Sequence, residues 1–295
     1  MSIIEKAAGK LDQSKKNVKA SERHDIIEQA AGKIENHGIA NAIDQDHAHG
    51  AESRSELTML DLTRFRQLGG VMPNEEKTQI AEEFRMIKRP LITNAFGKGA
   101  GHIKKGNLIM VTSALASEGK SFCAVNLAMS IAMEMDHTVL LVDADVAHPS
   151  IPDYLGLHAQ RGLLDLLLDE KLELSDVMLK TNVEKLSILA AGKKNRHATE
   201  LLASQSMSKL LADISQRYRD RIIIFDSPPL LLTSESHVLA AQMGQIVVVV
   251  EAETTPQKAV MEALRQIESC DVINLIFNKS RAFAGERYYG YQYGY

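Results

Sequence analysis

Tryptophan is absent from this 295-residue chain, and cysteine occurs only twice, at Cys123 and Cys270. Neither belongs to a Cys-x-x-Cys pair. The chain therefore offers no disulfide framework or zinc site, and a reducing compartment suits it. A large excess of one charge is also missing. Lys and Arg number 34 against 38 Asp and Glu, a formal net charge of -4, which gives no electrostatic case for binding nucleic acid. No continuous apolar core occupies Met1 to Lys10, so no secretory signal is read there. No run nears the ~18–20 apolar residues that cross a bilayer; the longest, such as Ile246–Val250, are strand-sized. The expected location is cytoplasmic, with any membrane association supplied by a partner or a surface helix.

Hydrophobic residues make up an ordinary 45% of the sequence, and the length suits one α/β domain of about 200 residues plus extensions. Four regions are distinguishable. Residues 1–56 hold a short echo, Ile3-Ile4-Glu5-Lys6-Ala7-Ala8-Gly9-Lys10-Leu11 matched by Ile26-Ile27-Glu28-Gln29-Ala30-Ala31-Gly32-Lys33-Ile34. Its spacing predicts two amphipathic helices, which either pack locally or serve as a docking or membrane-surface element. A polar linker over 36–56 follows; it contains His37, His47 and His49 without a metal-ligand constellation. Residues 57–106 form a helical lead-in, with a helix over 75–89 carrying Ile80, Phe84 and Ile87 and limited by Pro90. Residues 107–280 alternate apolar runs (108–112, 139–142, 186–189, 221–225, 246–250, 273–277) with helical segments near 120–135, 199–218 and 256–268. This alternation predicts an α/β fold, a doubly wound, mostly parallel sheet flanked by helices. Residues 281–295 lose the periodicity and read as a flexible C-terminal tail.

The first strand runs into Ala114-Leu115-Ala116-Ser117-Glu118-Gly119-Lys120-Ser121, a P-loop pattern with alanine at the usual first glycine. A loop between a strand and a helix N-terminus points backbone N–H groups at phosphates. Gly119 permits close approach, Lys120 reaches the β- and γ-phosphates of ATP, and the Ser121 hydroxyl holds Mg²⁺. Two later strands end in acids: Val142-Asp143-Ala144-Asp145 and Phe225-Asp226-Ser227-Pro228-Pro229. Open parallel sheets bind ligands at that end. Asp226 and Asp145 are expected to support the metal, and a carboxylate at Asp143 to accept a hydroxyl proton.

Ser117 to Phe122, Val142–Asp145 with Pro149, and Phe225–Pro229 together resemble the bacterial tyrosine kinases, over about residues 75–295. The similarity points to the autokinases of exosortase and exopolysaccharide gene clusters. It implies a P-loop NTPase fold of the ParA and MinD kind. It makes Ala114–Ser121 the Walker A motif, Val139–Asp145 the Walker A′ motif and Ile222–Asp226 the Walker B motif. It also implies that Lys120, Asp143 and Asp145 are catalytic, with Ser117, Glu118, Gly119, Lys120, Ser121 and Phe122 around ATP. Asn278 is expected against adenine, and Ser121, Asp145 and Asp226 on Mg²⁺. Glu82, Phe84, Arg85 and Lys88 resemble a ring-forming motif, which makes Glu82, Arg85 and Lys88 oligomerisation residues. Implied partners are other copies of the chain phosphorylating in trans, a membrane polysaccharide chain-length or export protein, and a phosphotyrosine phosphatase. One departure stands out: Ala147 and His148 replace the usual basic residues after the Asp-x-Asp motif, and histidine stabilises phosphate less reliably than arginine.

Five of seven tyrosines, Tyr288, Tyr289, Tyr291, Tyr293 and Tyr295, fall in the last eight residues, interleaved with Gly290 and Gly294. Glycine leaves such a segment free to enter an active site, so these tyrosines are the expected autophosphorylation sites. A ParA- or MinD-type positioning ATPase is the competing reading, but no additional lysine stands in Ser113–Ala116, early in the loop. A regulatory scaffold that binds ATP without transferring phosphate is the other.

Overall fold

The computed structural model describes residues 57–73, 78–97, 103–218 and 220–280. The echoed helices, the linker with its histidines and the tail tyrosines lie outside the described residues.

Among the described residues there are seven strands: β1 (Leu108–Ser113), β2 (Thr138–Asp143), β3 (Leu179–Lys180), β4 (Leu186–Leu189), β5 (Arg221–Asp226), β6 (Gln245–Glu251) and β7 (Ile273–Asn278). They form one sheet in the order β3-β4-β2-β5-β1-β6-β7. All six runs expected as strands are present and pair in parallel. The exception to parallel pairing, β3 against β4, has only two residues and carries no readable period. β1 is buried along its whole length, as a strand covered on both faces must be. Alternate residues feed two cores: Leu108 and Met110 enter one, Ile109 and Val111 the other.

Helices α1 (Leu62–Gln67), α2 (Gln79–Phe96), α3 (Lys120–Ala132) and α4 (Ile151–Leu155) cover one face. Helices α5 (Leu163–Leu168), α6 (Leu174–Val177), α7 (Ala198–Leu202), α8 (Gln205–Arg217), α9 (Ser234–Ala240) and α10 (Gln257–Arg265) cover the other. The segment expected as one helix over 199–218 is two, because Ser204 leaves the helical path and caps α8, accepting from the Met207 amide at 3.1 Å.

Helix α2 corrects a second expectation. It begins with Thr78 as its cap and continues through Pro90 to Phe96. Pro90 and Met86, whose carbonyl the proline leaves without an amide, are both exposed residues, while Leu91 and Ala95 stay buried and hold the following turn down. The lead-in before α2 is fastened at several points. Phe65 is fully buried, a contribution of about 1.5–3 kcal/mol. The Val71 amide donates to Asn126 Oδ1 at 2.6 Å, the Leu60 amide to Asn182 Oδ1 at 2.9 Å, and the Asp61 amide to the Leu155 carbonyl at 2.9 Å. Asn126, nearly two turns inside α3, is thus a strap for the lead-in.

The sheet ends differently at its two borders. β3 is short, whereas β7 presents six uncharged residues at the edge, with Leu275 and Phe277 exposed.

Candidate active site

Register places the acids. β1 and β2 both flank β5, with Val111 beside Asp226 on one side and Asp143 beside Asp226 on the other. Neighbouring strands lie about 4.8 Å apart, so the two carboxylates are held close at the C-terminal end of the sheet, next to the loop leaving β1. Both are fully buried. Burial, and then the Asp226 charge, pushes Asp143 up to about 8, against the pull of an Ile151 amide that donates to its Oδ2 at 3.2 Å. Burial pushes Asp226 up to about 6, with Lys120 opposing. Asp143 Oδ1 lacks a hydrogen-bond partner, and the Ser121 and Ser150 hydroxyls pull the Asp226 pKa down without reaching hydrogen-bond geometry at either oxygen. Orphaned carboxylate oxygens in the interior are costly unless a cation or a proton completes them.

Lys120 supplies one cation. Its Nζ lies 2.7 Å from Asp145 Oδ2 and 3.4 Å from the Ser121 hydroxyl. Burial alone would lower its pKa, but Asp226, Asp145 and Asp143 together raise it. The ammonium therefore stays charged where phosphates would arrive. The loop is shaped for that arrival: Ser117 and Gly119 both adopt positive φ, at 65° and 92°. A Cβ on Gly119 would run into the Asn278 amide, so glycine is required there. Among the described residues no three His, Cys, Asp or Glu side chains converge as a metal cage. Mg²⁺ commonly takes one or two carboxylates plus phosphate and water, and Asp226, Asp145 and the Ser121 hydroxyl suit that demand.

Most of the expected residues share one cavity of about 880 Å³: Ser117, Gly119, Lys120, Ser121, Asp145 and Asn278 line it. Phe122 and His148 line it too. Two expectations need correction. Glu118 is only 2% exposed and turns inward, accepting from the Leu115 amide at 2.6 Å and from the Thr255 hydroxyl. Its side chain braces the loop from within, and its carbonyl accepts from Asn278 Nδ2 at 2.9 Å. Lys88, expected in an inter-subunit motif, is 3% exposed. It binds the Ser130 carbonyl at 2.5 Å and Glu134 at 2.7 Å within its own chain. Glu82 and Arg85 form an ion pair on the open side of α2.

Sequence reasoning missed Lys279, whose Nζ holds the Ser117 carbonyl at 2.8 Å and Glu251 at 2.9 Å, and the cavity-lining Leu68 and Tyr154. Position directly after Asn278 was the only signal for Lys279; the other two carry none. Thr233, the residue that precedes α9, lines the cavity as well.

The family model described as ParA, NUBPL iron-transfer P-loop NTPase, matches residues 104–277. The putative tyrosine-protein kinase EpsB of Ralstonia solanacearum is 31% identical over 199 residues, covering 64% of this chain and 26% of that protein. The succinoglycan biosynthesis transport protein ExoP of Rhizobium meliloti is 28% identical over 262 residues, covering 84% and 32%. This chain thus spans about a third or less of the length of these relatives. The crystal structure of the VpsO kinase domain is 30% identical with a TM-score of 0.53, and the match covers 68% of this chain and 99% of that one. With its glycine-shaped phosphate loop and three strand-end carboxylates, the chain belongs to the ParA-type P-loop NTPases and, among them, to the bacterial tyrosine kinases.

Proposed function

We propose that the protein is an ATP- and Mg²⁺-dependent protein-tyrosine autokinase whose acceptors are Tyr288, Tyr289, Tyr291, Tyr293 and Tyr295 of another copy. The meeting of Asp143, Asp145 and Asp226 around Lys120, beside the open N-terminus of α3, carries this reading. The α3 amides and Lys120 bind the phosphates. Asp226, Asp145 and Ser121 would hold Mg²⁺, which when bound neutralises charge on the phosphate oxygens. Asp143 takes the phenolic proton as the tyrosine oxygen bonds to the γ-phosphorus and the bond to the bridging oxygen breaks, leaving ADP and phosphotyrosine. Its upward-shifted carboxyl is closer in basicity to a phenol than an ordinary aspartate is. Positioning and charge stabilisation supply most of the rate.

Glu82 and Arg85 are available for ring contacts. The kinship with ExoP supports a role in exopolysaccharide synthesis or export, with a membrane protein of that machinery as partner and a phosphotyrosine phosphatase reversing the modification. No helix among the described residues is long and apolar enough to cross a membrane; in this reading the partner recruits the protein to the inner face of the plasma membrane.

Incubation with ATP and Mg²⁺ followed by phosphotyrosine mapping, with Lys120→Met alongside, tests the reading. Phosphate on Tyr288–Tyr295 in the wild type and none in the variant is expected. ATP binding without any phosphotyrosine would overturn it in favour of a nucleotide-switched scaffold.

A further inference from the structure

The charged groups of the cavity gather at the phosphate loop, and Leu68, Phe122 and Tyr154 add apolar surface to its lining; Phe122, expected around ATP, packs its ring on Tyr154. Leu68 closes α1 and is 47% exposed. Tyr154 sits on α4, and its ring packs on Phe122 with centroids 6.5 Å apart and planes tilted by 54°, a favourable aromatic geometry. All three line the cavity that holds Lys120 and Asp145. The wall has a definite place along the loop. Asn278 and Lys279 fasten the carbonyls of Glu118 and Ser117 in the middle of the loop. Lys120 follows at its C-terminal end with Asp145 beside it, and α4, which carries Tyr154, begins at the Ile151 amide that donates to Asp143. The Tyr154 phenol also lies within the field of Asp226, Lys120 and Lys279. A nucleotide whose phosphates fill the loop leaves this end for the second substrate.

We propose that Leu68, Phe122 and Tyr154 form the acceptor subsite, an apolar wall that receives the aromatic ring of the incoming tyrosine and sets its hydroxyl toward Asp143. The inference rests on the kinase reading. It explains selection of tyrosine over serine, because a serine hydroxyl brings no ring to bury and gains nothing from the wall. These residues determine specificity; the chemistry stays with Asp143, Asp145 and Lys120. The lead-in thereby contributes to the reaction through Leu68, although it precedes the P-loop domain.

The test uses the full chain and a labelled peptide of sequence 286–295, titrated with Mg²⁺ and a non-hydrolysable ATP analogue present, together with KM and kcat for peptide phosphorylation. Tyr154→Ala and Leu68→Ser should each weaken peptide binding and raise peptide KM by about ten-fold. Tyr154→Phe should keep both near wild type, and analogue affinity should stay within about two-fold throughout. Leu68 is exposed, so its variant reports even if Tyr154→Ala folds poorly. Unchanged peptide affinity in Leu68→Ser and Tyr154→Ala, or an equal loss of analogue affinity, would overturn the subsite. Wall-dependent peptide binding without phosphate transfer by the wild type would sink the kinase reading and leave the subsite standing.

Discussion

Asp143 and Asp226 are two buried acids set side by side by strand register, and each is pushed above the usual carboxylate range. The folded chain therefore binds protons more tightly than the unfolded chain. Stability from this pair is fully present below about pH 4, the unfolded value, and is lost as pH rises through about 6 and about 8. In nucleotide-free protein with chelator, Tm should fall across that window. Asp143→Asn should flatten the fall and raise Tm near pH 8 by about 2–4 °C per kcal/mol recovered. An unchanged pH profile in scanning calorimetry would contradict this account. The acids were legible in the sequence because strand-end carboxylates beside a P-loop make a pattern. The inward turn of Glu118 and the grip of Lys279 were not, since side-chain direction within a loop is decided by tertiary partners such as Thr255 and Glu251.

Helix α2 shows how an element can satisfy a motif's spacing and use it differently. Glu82, Arg85 and Lys88 follow helical spacing, yet the face containing Phe84, Lys88 and Leu91 packs inward. Lys88 meets the last carbonyls of α3, where a helix dipole favours a cation. Burial lowers its pKa and Glu134 partly restores it. Lys88→Ala should cost about 3 kcal/mol in urea denaturation, because it leaves Glu134 short of its inner partner. Lys88→Met fills the space and should cost less, about 1 kcal/mol. Glu82→Ala with Arg85→Ala lies on the open side and should leave stability within about 0.5 kcal/mol while altering assembly size in light scattering. Loss of assembly in Lys88→Met at full stability would return Lys88 to the interface. The sequence also set the end of α2 too early: a proline stops a helix only where tertiary packing does not carry the chain onward.

The whole molecule was readable where apolar runs were continuous. Six parallel strands, the phosphate helix and the position of the site all follow from runs that only a sheet covered on both faces can bury. The short helices α4 to α6 and strand β3 were not readable, because two to six residues carry too little periodicity to stand out. The lead-in read as helical, but its route across α3 and α4 depends on single hydrogen bonds such as Val71 to Asn126. β7 carries no lysine or proline of the kind that usually blunts an edge strand, and Phe277 is 66% exposed there. In a chain with net charge of only -4, this border is adhesive. At millimolar storage concentrations, self-association through it should add a colloidal attraction that is independent of nucleotide and phosphorylation. Phe277→Lys should make the second virial coefficient more positive by static light scattering and raise the solubility limit about two-fold, leaving kcat unchanged. The purification behaviour of the protein is thus written on the outer edge of the strand whose last residue, Asn278, braces the phosphate loop.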